Sequence, residues 1–252
     1  MPLRKNKMQL ISIIMPYYKK NDCGKKAILS VTKQSYKKFE LLIVYDDENL
    51  NDYYKIKGII RNHKKIKIIL NKKNLGAGYS RNIGISHSNG EIISFIDSDD
   101  TWHSEKLKKQ LYFMNKNNYA FTFCGYKKIF DKKSIYVRSN SAYLGYSDLL
   151  KSCEIGLSTV MLKKKIINNH LFSNLKTQED LAAWLKITKN NKAFFLNEVL
   201  VNWYSTKNSL SSNLTQKIKD AYRVYRFHQK FSKIKSIYYL LILSINSIKR
   251  KI

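Results

Sequence analysis

Asp97, Ser98, Asp99 and Asp100 put three carboxylates within four residues, directly after the apolar run 92–96 and before Thr101 and Trp102. Packing alone gives no reason to gather three repelling charges. A divalent cation does, because hard ions such as Mg²⁺ or Mn²⁺ take oxygen ligands, usually one or two carboxylates plus substrate phosphates. Acids are scarce here: 47 Lys and Arg face 18 Asp and Glu, for a net charge of +29. Eight of those acids fall in three clusters, Asp46–Glu48, Asp97–Asp100 and Glu179–Asp180, so they read as placed. The bland alternative is a set of turn residues and helix caps after strands.

Nothing else in the chain competes as chemistry. Cys23, Cys124 and Cys153 are odd in number and lack paired spacing, which excludes a disulfide framework or zinc site and suits buried thiols in a reducing compartment. The five histidines have no metal-ligand spacing. The positive charge invites nucleic acid, but 40 of the 47 basic residues are Lys, spread along the chain without a recognition motif. No nucleic-acid partner is expected. Attraction to anionic lipid or to a phosphate-bearing substrate is a better use of the charge.

The elements that position the acids follow from the apolar pattern. Five β-rich runs, 11–15, 39–45, 66–70, 92–96 and 120–124, start 28, 27, 26 and 28 residues apart. Helical segments at 24–34, 50–62, 78–86 and 104–117 fill the gaps. This alternation predicts right-handed βαβ units and a mostly parallel sheet with ligands beyond the strand ends. Pro16 to Tyr18, Asp46 and Asp47, residues 74–78 and Asp97 to Asp100 each follow a strand, so all four can line one crevice. In the second half, 157–162 and 193–201 read as strands, and 178–189, 218–231 and 234–248 as helices; 141–158 receives no assignment. Only Pro2 and Pro16 are prolines, and no linker divides the chain.

The ends carry no clear targeting signal. Arg4, Lys5 and Lys7 precede no signal-peptide apolar region. The apolar run 236–248, flanked by Lys235 and by Lys249, Arg250 and Lys251, would rise only ~20 Å as a helix against a ~30 Å hydrocarbon core. It is expected either at a membrane interface or packed on the core.

The order and spacing of several weak motifs is specific. ISIIMPYY (11–18), AILSVTKQSY (27–36), FELLIV (39–44) and Asp46-Asp47 are followed by NLG (74–76), SRNIG (80–84), FIDSDDTW (95–102), and QED (178–180) with Trp184. Together, over about residues 10–205, they resemble family 2 glycosyltransferases. The resemblance implies a GT-A fold, a Rossmann-like α/β sheet flanked by helices. It further implies a nucleotide-sugar donor, a divalent metal (Mg²⁺ or Mn²⁺) and inversion at the anomeric carbon. On this reading 1–210 is the GT-A domain, about 1–125 its nucleotide-binding half and 126–210 its acceptor half, with 211–252 a helical basic tail.

Carried over by position, Pro16 and Tyr18 match the loop around base and ribose, with Tyr18 either stacking on the base or merely packing. Asp46 matches the carboxylate that accepts the imide N–H of uracil or thymine, hence a UDP or dTDP donor; Asp47 caps the next segment. Tyr45 stands where the family often has Asp, which leaves the register of this pair open. Asp99 matches the metal ligand. Asp97 faces the ribose or supports the metal through water, and Asp100 stands behind them or caps the helix after His103. Arg81 reaches a phosphate or pairs with a crevice aspartate. Asp180 is the general base, kept ionised by the helix it opens, and Trp184 packs in the core. The acceptor is expected to be a surface polysaccharide or lipid-linked glycan, met by a cytoplasmic enzyme peripheral to the inner face of a plasma membrane. A nucleotidyltransferase and a non-catalytic nucleic-acid-binding protein are the alternatives.

Overall fold

Strand β1, Ile11–Tyr17, is buried at every position, as a strand covered on both faces must be. Its side chains alternate between two cores: Ile11, Ile13, Met15 and Tyr17 join one apolar cluster and Ile14 the other. A computed structural model describes residues 8–130, 133–205 and 213–249 of the chain. Arg4, Lys5, Lys7, Arg250 and Lys251 lie outside the described residues.

β1 pairs in parallel with β2 (Phe39–Tyr45) on one side and β4 (Ile92–Phe95) on the other, and β2 pairs with β3 (Ile66–Leu70). Helices α1 (Asn21–Thr32), α2 (Asn51–Ile60) and α3 (Ala77–Ser86) connect them. α1 and α2 pack on the face shared with Ile13 and Met15, whereas α3 packs on the Ile14 face. A Cβ on Gly84 would come within 2.4 Å of Ile14 Cγ2, which shows how closely α3 lies on β1.

Beyond β4 the sheet is mixed. The short strand β5 (Thr101–Trp102) and helix α4 (Lys106–Lys116) lead into β6 (Phe121–Phe130), β7 (Lys133–Val137) and β8 (Tyr143–Leu144). The sheet order is β3-β2-β1-β4-β9-β6-β10-β5, with β9 (Met161–Lys163) antiparallel between β4 and β6, and β10 (Ala193–Tyr204) parallel to β6. The expected strand over 157–162 is thus largely replaced. Leu157–Thr159 form a 3₁₀ turn and only Met161–Lys163 pair. Ser158 and Thr159 bond to other elements through that turn, which a strand register would prevent.

After the short helix α5 (Tyr146–Leu149), helix α6 (Glu179–Thr188) buries Trp184 among Phe95, Phe121 and Phe172. α7 (Leu214–Arg223) starts four residues before the expected 218, because Asn213 caps it by accepting the Gln216 N–H. A π-helical turn, Val224–His228, follows, then α8 (Lys233–Lys249). Asp220, Val224 and Tyr225 are buried, so α7 and this turn are part of the body. Among the described residues no helix is long and apolar enough to cross a membrane.

Candidate active site

The chain runs from β1 outward to β2 and β3, then returns to β4 on the other side of β1. That reversal makes β1/β4 a switch point, the place where open α/β sheets take ligands beyond the strand ends. Tyr18 follows β1, Asp46 follows β2 and the Asp97–Asp100 cluster follows β4, as the spacing predicts.

Asp46 is engaged by neighbouring donors. It is buried, and its carboxylate accepts from Asn71 Nδ2 at 2.7 Å and from the Leu75 and Gly76 N–H groups at 2.8 Å each. Asn71 also donates to Ser80 Oγ on α3. Gly76, at φ 85°, takes a backbone that other residues adopt at a cost. Asp46 therefore clamps the loop that starts α3, a different role from the expected contact with a base. Asp46→Ala leaves three donors unpaired and is expected to destabilise the fold by about 3 kcal/mol in urea unfolding.

Arg81, delivered by that helix, is 4% exposed. One guanidinium nitrogen donates to Asp97 Oδ1 and another to Glu179 Oε1, each at 2.8 Å, and the group lies 5.3 Å from the Phe172 ring centroid. Of the two roles open to Arg81, the ion pair is the one observed. A planar fork with several donors suits this bridge. It ties the acid cluster after β4 to the first turn of α6. Gly78 permits the approach: a Cβ there would lie 2.4 Å from the Ser173 carbonyl and 3.4 Å from Glu179 Cγ.

Asp180 is next to Glu179. Burial pushes its carboxyl up to about 7, the neighbouring Glu179 charge adds to this, and the Leu181 N–H and Arg81 oppose it. Desolvation thus works against the helix end, which is expected to keep Asp180 ionised. The result is a carboxylate poised near neutrality, which suits a proton acceptor. Thr177 holds this turn in place, since its N–H and hydroxyl both donate to Asp220 of α7 at 3.0 Å.

Asp99 meets the Lys20 ammonium at 2.6 Å. Asp97 and Asp99 remain 32% and 19% exposed, respectively. Among the described residues no three His, Cys, Asp or Glu side chains group as metal ligands. The donor set still fits a hard dication that draws its other oxygens from a diphosphate. Lys20 supplies the observation, since a cation already sits on Asp99. Asp100 is a different group. It is buried, accepts from the Ser158 hydroxyl at 2.5 Å and the Tyr204 N–H at 3.4 Å, and burial drives its carboxyl well up. It caps no helix, because α4 begins only at Lys106.

Pro16 lies within β1 opposite Val44, a strand position rather than a loop. Tyr18 is 44% exposed with the Lys19 ammonium 5.0 Å from its ring centroid, so it lines the rim. Asp47 closes a turn by accepting the Asn49 N–H. Beneath the acid loop, Lys106 is fully buried, 4.0 Å from the Trp102 ring centroid, and desolvation pushes it down to about 8. Glu179, Lys20, Asn71, Ser158 and Lys106 have no individual role that the sequence alone shows. Glu179 carried a signal, its place beside Asp180; Lys20 carried none among 40 lysines.

Comparison with known proteins bears on the family and the fold. A family model described as Glycosyl transferase family 2 matches residues 12–179. A curated relative from Escherichia coli, the UDP-Glc:alpha-D-GlcNAc-diphosphoundecaprenol beta-1,3-glucosyltransferase WfgD, is 32% identical over 96% of this chain and 94% of its own. Staphylococcus aureus TarS 1–349, solved with UDP-GlcNAc, superposes with a TM-score of 0.75 over 92% of this chain and 70% of its own at 20% identity. The mannosyltransferase PcManGT of Pyrobaculum calidifontis, solved with GDP-Man and Mn²⁺, gives a TM-score of 0.70 over 93% and 70% at 12% identity. These structural likenesses carry the GT-A fold.

Proposed function

The chain belongs to glycosyl transferase family 2, and on that premise we propose that it is an inverting enzyme using a UDP- or dTDP-sugar. The acceptor is a hydroxyl of a surface polysaccharide or lipid-linked glycan. Membership sets aside the nucleotidyltransferase alternative. The observation that carries the reading is the Arg81 bridge, which joins Asp97 on the donor side to Glu179, next to Asp180. One carboxylate group thus serves the leaving diphosphate and another the incoming alcohol.

The acceptor oxygen attacks the anomeric carbon from the face opposite the diphosphate. Its proton passes to the Asp180 carboxylate. The bond from carbon to phosphate oxygen breaks, and the nucleoside diphosphate leaves with the electron pair. When bound at Asp97 and Asp99, a dication would offset charge on that leaving group. Lys20, which holds one Asp99 oxygen, would also bring positive charge to that side of the site. Tyr18 stacks on the base. The UDP-sugars named with WfgD and TarS support the donor class, and the diphosphoundecaprenol acceptor of WfgD supports a lipid-linked glycan. Such an acceptor supports reading the enzyme as a peripheral protein at the inner face of a plasma membrane.

The test is a panel of UDP-, dTDP- and GDP-sugars, hydrolysed with and without Mn²⁺. UDP- or dTDP-sugar turnover is expected; turnover confined to GDP-sugars overturns the base assignment. NMR of the transferred sugar's anomeric proton must show inversion. Asp99→Ala is expected to abolish the gain in UDP affinity that Mn²⁺ gives the wild type, about tenfold or more by calorimetry. An undiminished Mn²⁺ effect in Asp99→Ala removes Asp99 as the metal ligand.

A further inference from the structure

Helix α8 presents two apolar faces. Ser236 and Leu243 are buried, and Tyr239 and Leu240 pack against the core between them. Ile234, Ile237, Tyr238, Leu241, Ile245 and Ile248 recur at the same three- and four-residue spacing on the other side, and all six are 49% to 83% exposed. On an α-helix these six positions fall within one sector roughly 100° wide. Lys233 and Lys235 flank that sector on opposite edges, and Lys249 follows its last residue.

Charge decides what covers this stripe. A second copy of a +29 chain would bring lysines against lysines. An anionic bilayer satisfies both parts: its acyl boundary takes the apolar stripe, and headgroup phosphates take the flanking ammonium groups. With one face packed on the body and the other exposed along its length, α8 would lie in the interface plane. The geometry points to α8 as an interfacial helix that docks the protein on an anionic lipid surface through the stripe from Ile234 to Ile248. The same surface is joined to the catalytic turn, since α7 packs between α8 and Thr177 through Asp220. This inference deepens the peripheral-membrane part of the proposed function and does not depend on sugar transfer.

The test is sedimentation with vesicles of equimolar phosphatidylglycerol and phosphatidylcholine, against pure phosphatidylcholine, at near-physiological salt. The wild type is expected to bind the mixed vesicles selectively. The double variant Leu241→Gln/Ile245→Gln keeps every charge and is expected to bind about tenfold more weakly or worse. Lys233→Gln/Lys235→Gln is expected to lose about tenfold, and less as salt rises. Circular dichroism and thermal melting confirm that the variants fold. Wild-type strength in Leu241→Gln/Ile245→Gln means adsorption by charge alone and overturns the proposal. So does a failure of the wild type to bind, or a wild-type dimer that Leu241→Gln turns into monomer. UDP affinity measured on the same samples reports separately on the active site.

Discussion

Asp180→Asn is expected to lower kcat by roughly 10²–10⁴-fold while leaving UDP affinity unchanged. The substitution is nearly isosteric, and Asn Oδ1 can still accept the Leu181 N–H that Asp180 accepts at 2.7 Å. What is lost is the capacity to take a proton, together with the charge of the ionised form. The wild-type kcat is expected to rise through about pH 7 with unit slope, because burial and Glu179 hold the carboxyl up to about 7 and only the ionised form is a base. The same shift acts on stability with a defined sign. The unfolded chain releases this proton near the ordinary Asp range and the folded chain holds it to about 7. Between those values the folded state binds more protons, so stability falls as pH rises. Asp180→Asn removes that loss and is expected to be more stable than wild type at pH 8, by roughly 2 kcal/mol in urea unfolding. A variant that is inactive but no more stable at pH 8 contradicts the burial account. A variant that retains turnover removes Asp180 as the base.

The parts legible in the sequence share one physical origin. Strands β2 and β3 begin and end at the predicted residues, 39–45 and 66–70: β2 is buried at every position, while β3, at the sheet edge, buries Ile66 and exposes Lys67 and Leu70 yet keeps its run of β-branched residues. The acid clusters stood out because acids are few and like charges do not gather without a partner. What stayed hidden depends on backbone groups that every residue carries. Asp46 is held by the N–H groups of Leu75 and Gly76, and no side-chain pattern announces that loop closure. The turn at Leu157–Thr159 looked like a strand because its neighbours are apolar, yet Ser158 serves the acid loop: it accepts the Asp97 N–H and donates to Asp100. Lys20 was invisible for a statistical reason, being one ammonium among many until Asp99 lay 2.6 Å away.

Arg81 is where the architecture and the chemistry depend on the same atoms. Arg81→Met retains much of the stem's packing against Phe172 and removes the charge. It strands Glu179, 14% exposed, and Asp97, 32% exposed, without their shared partner. Breaking a buried ion pair from one side costs about 3–5 kcal/mol; with Asp97 a third open to water, about 3 kcal/mol is expected in urea unfolding. The pH profile carries a second signature. Arg81 lowers the Asp180 carboxyl, so its removal moves the rise in kcat to higher pH in whatever fraction stays folded. Arg81→Lys separates the two effects. An ammonium keeps the positive charge near Asp180 but cannot present a rigid fork to both Asp97 and Glu179. It is therefore expected to keep the pH rise close to the wild-type position while still losing stability. If Arg81→Met were as stable as wild type, the bridge would not hold the two carboxylate groups together. If both variants shifted the pH profile equally, the Arg81 charge would not be what sets Asp180.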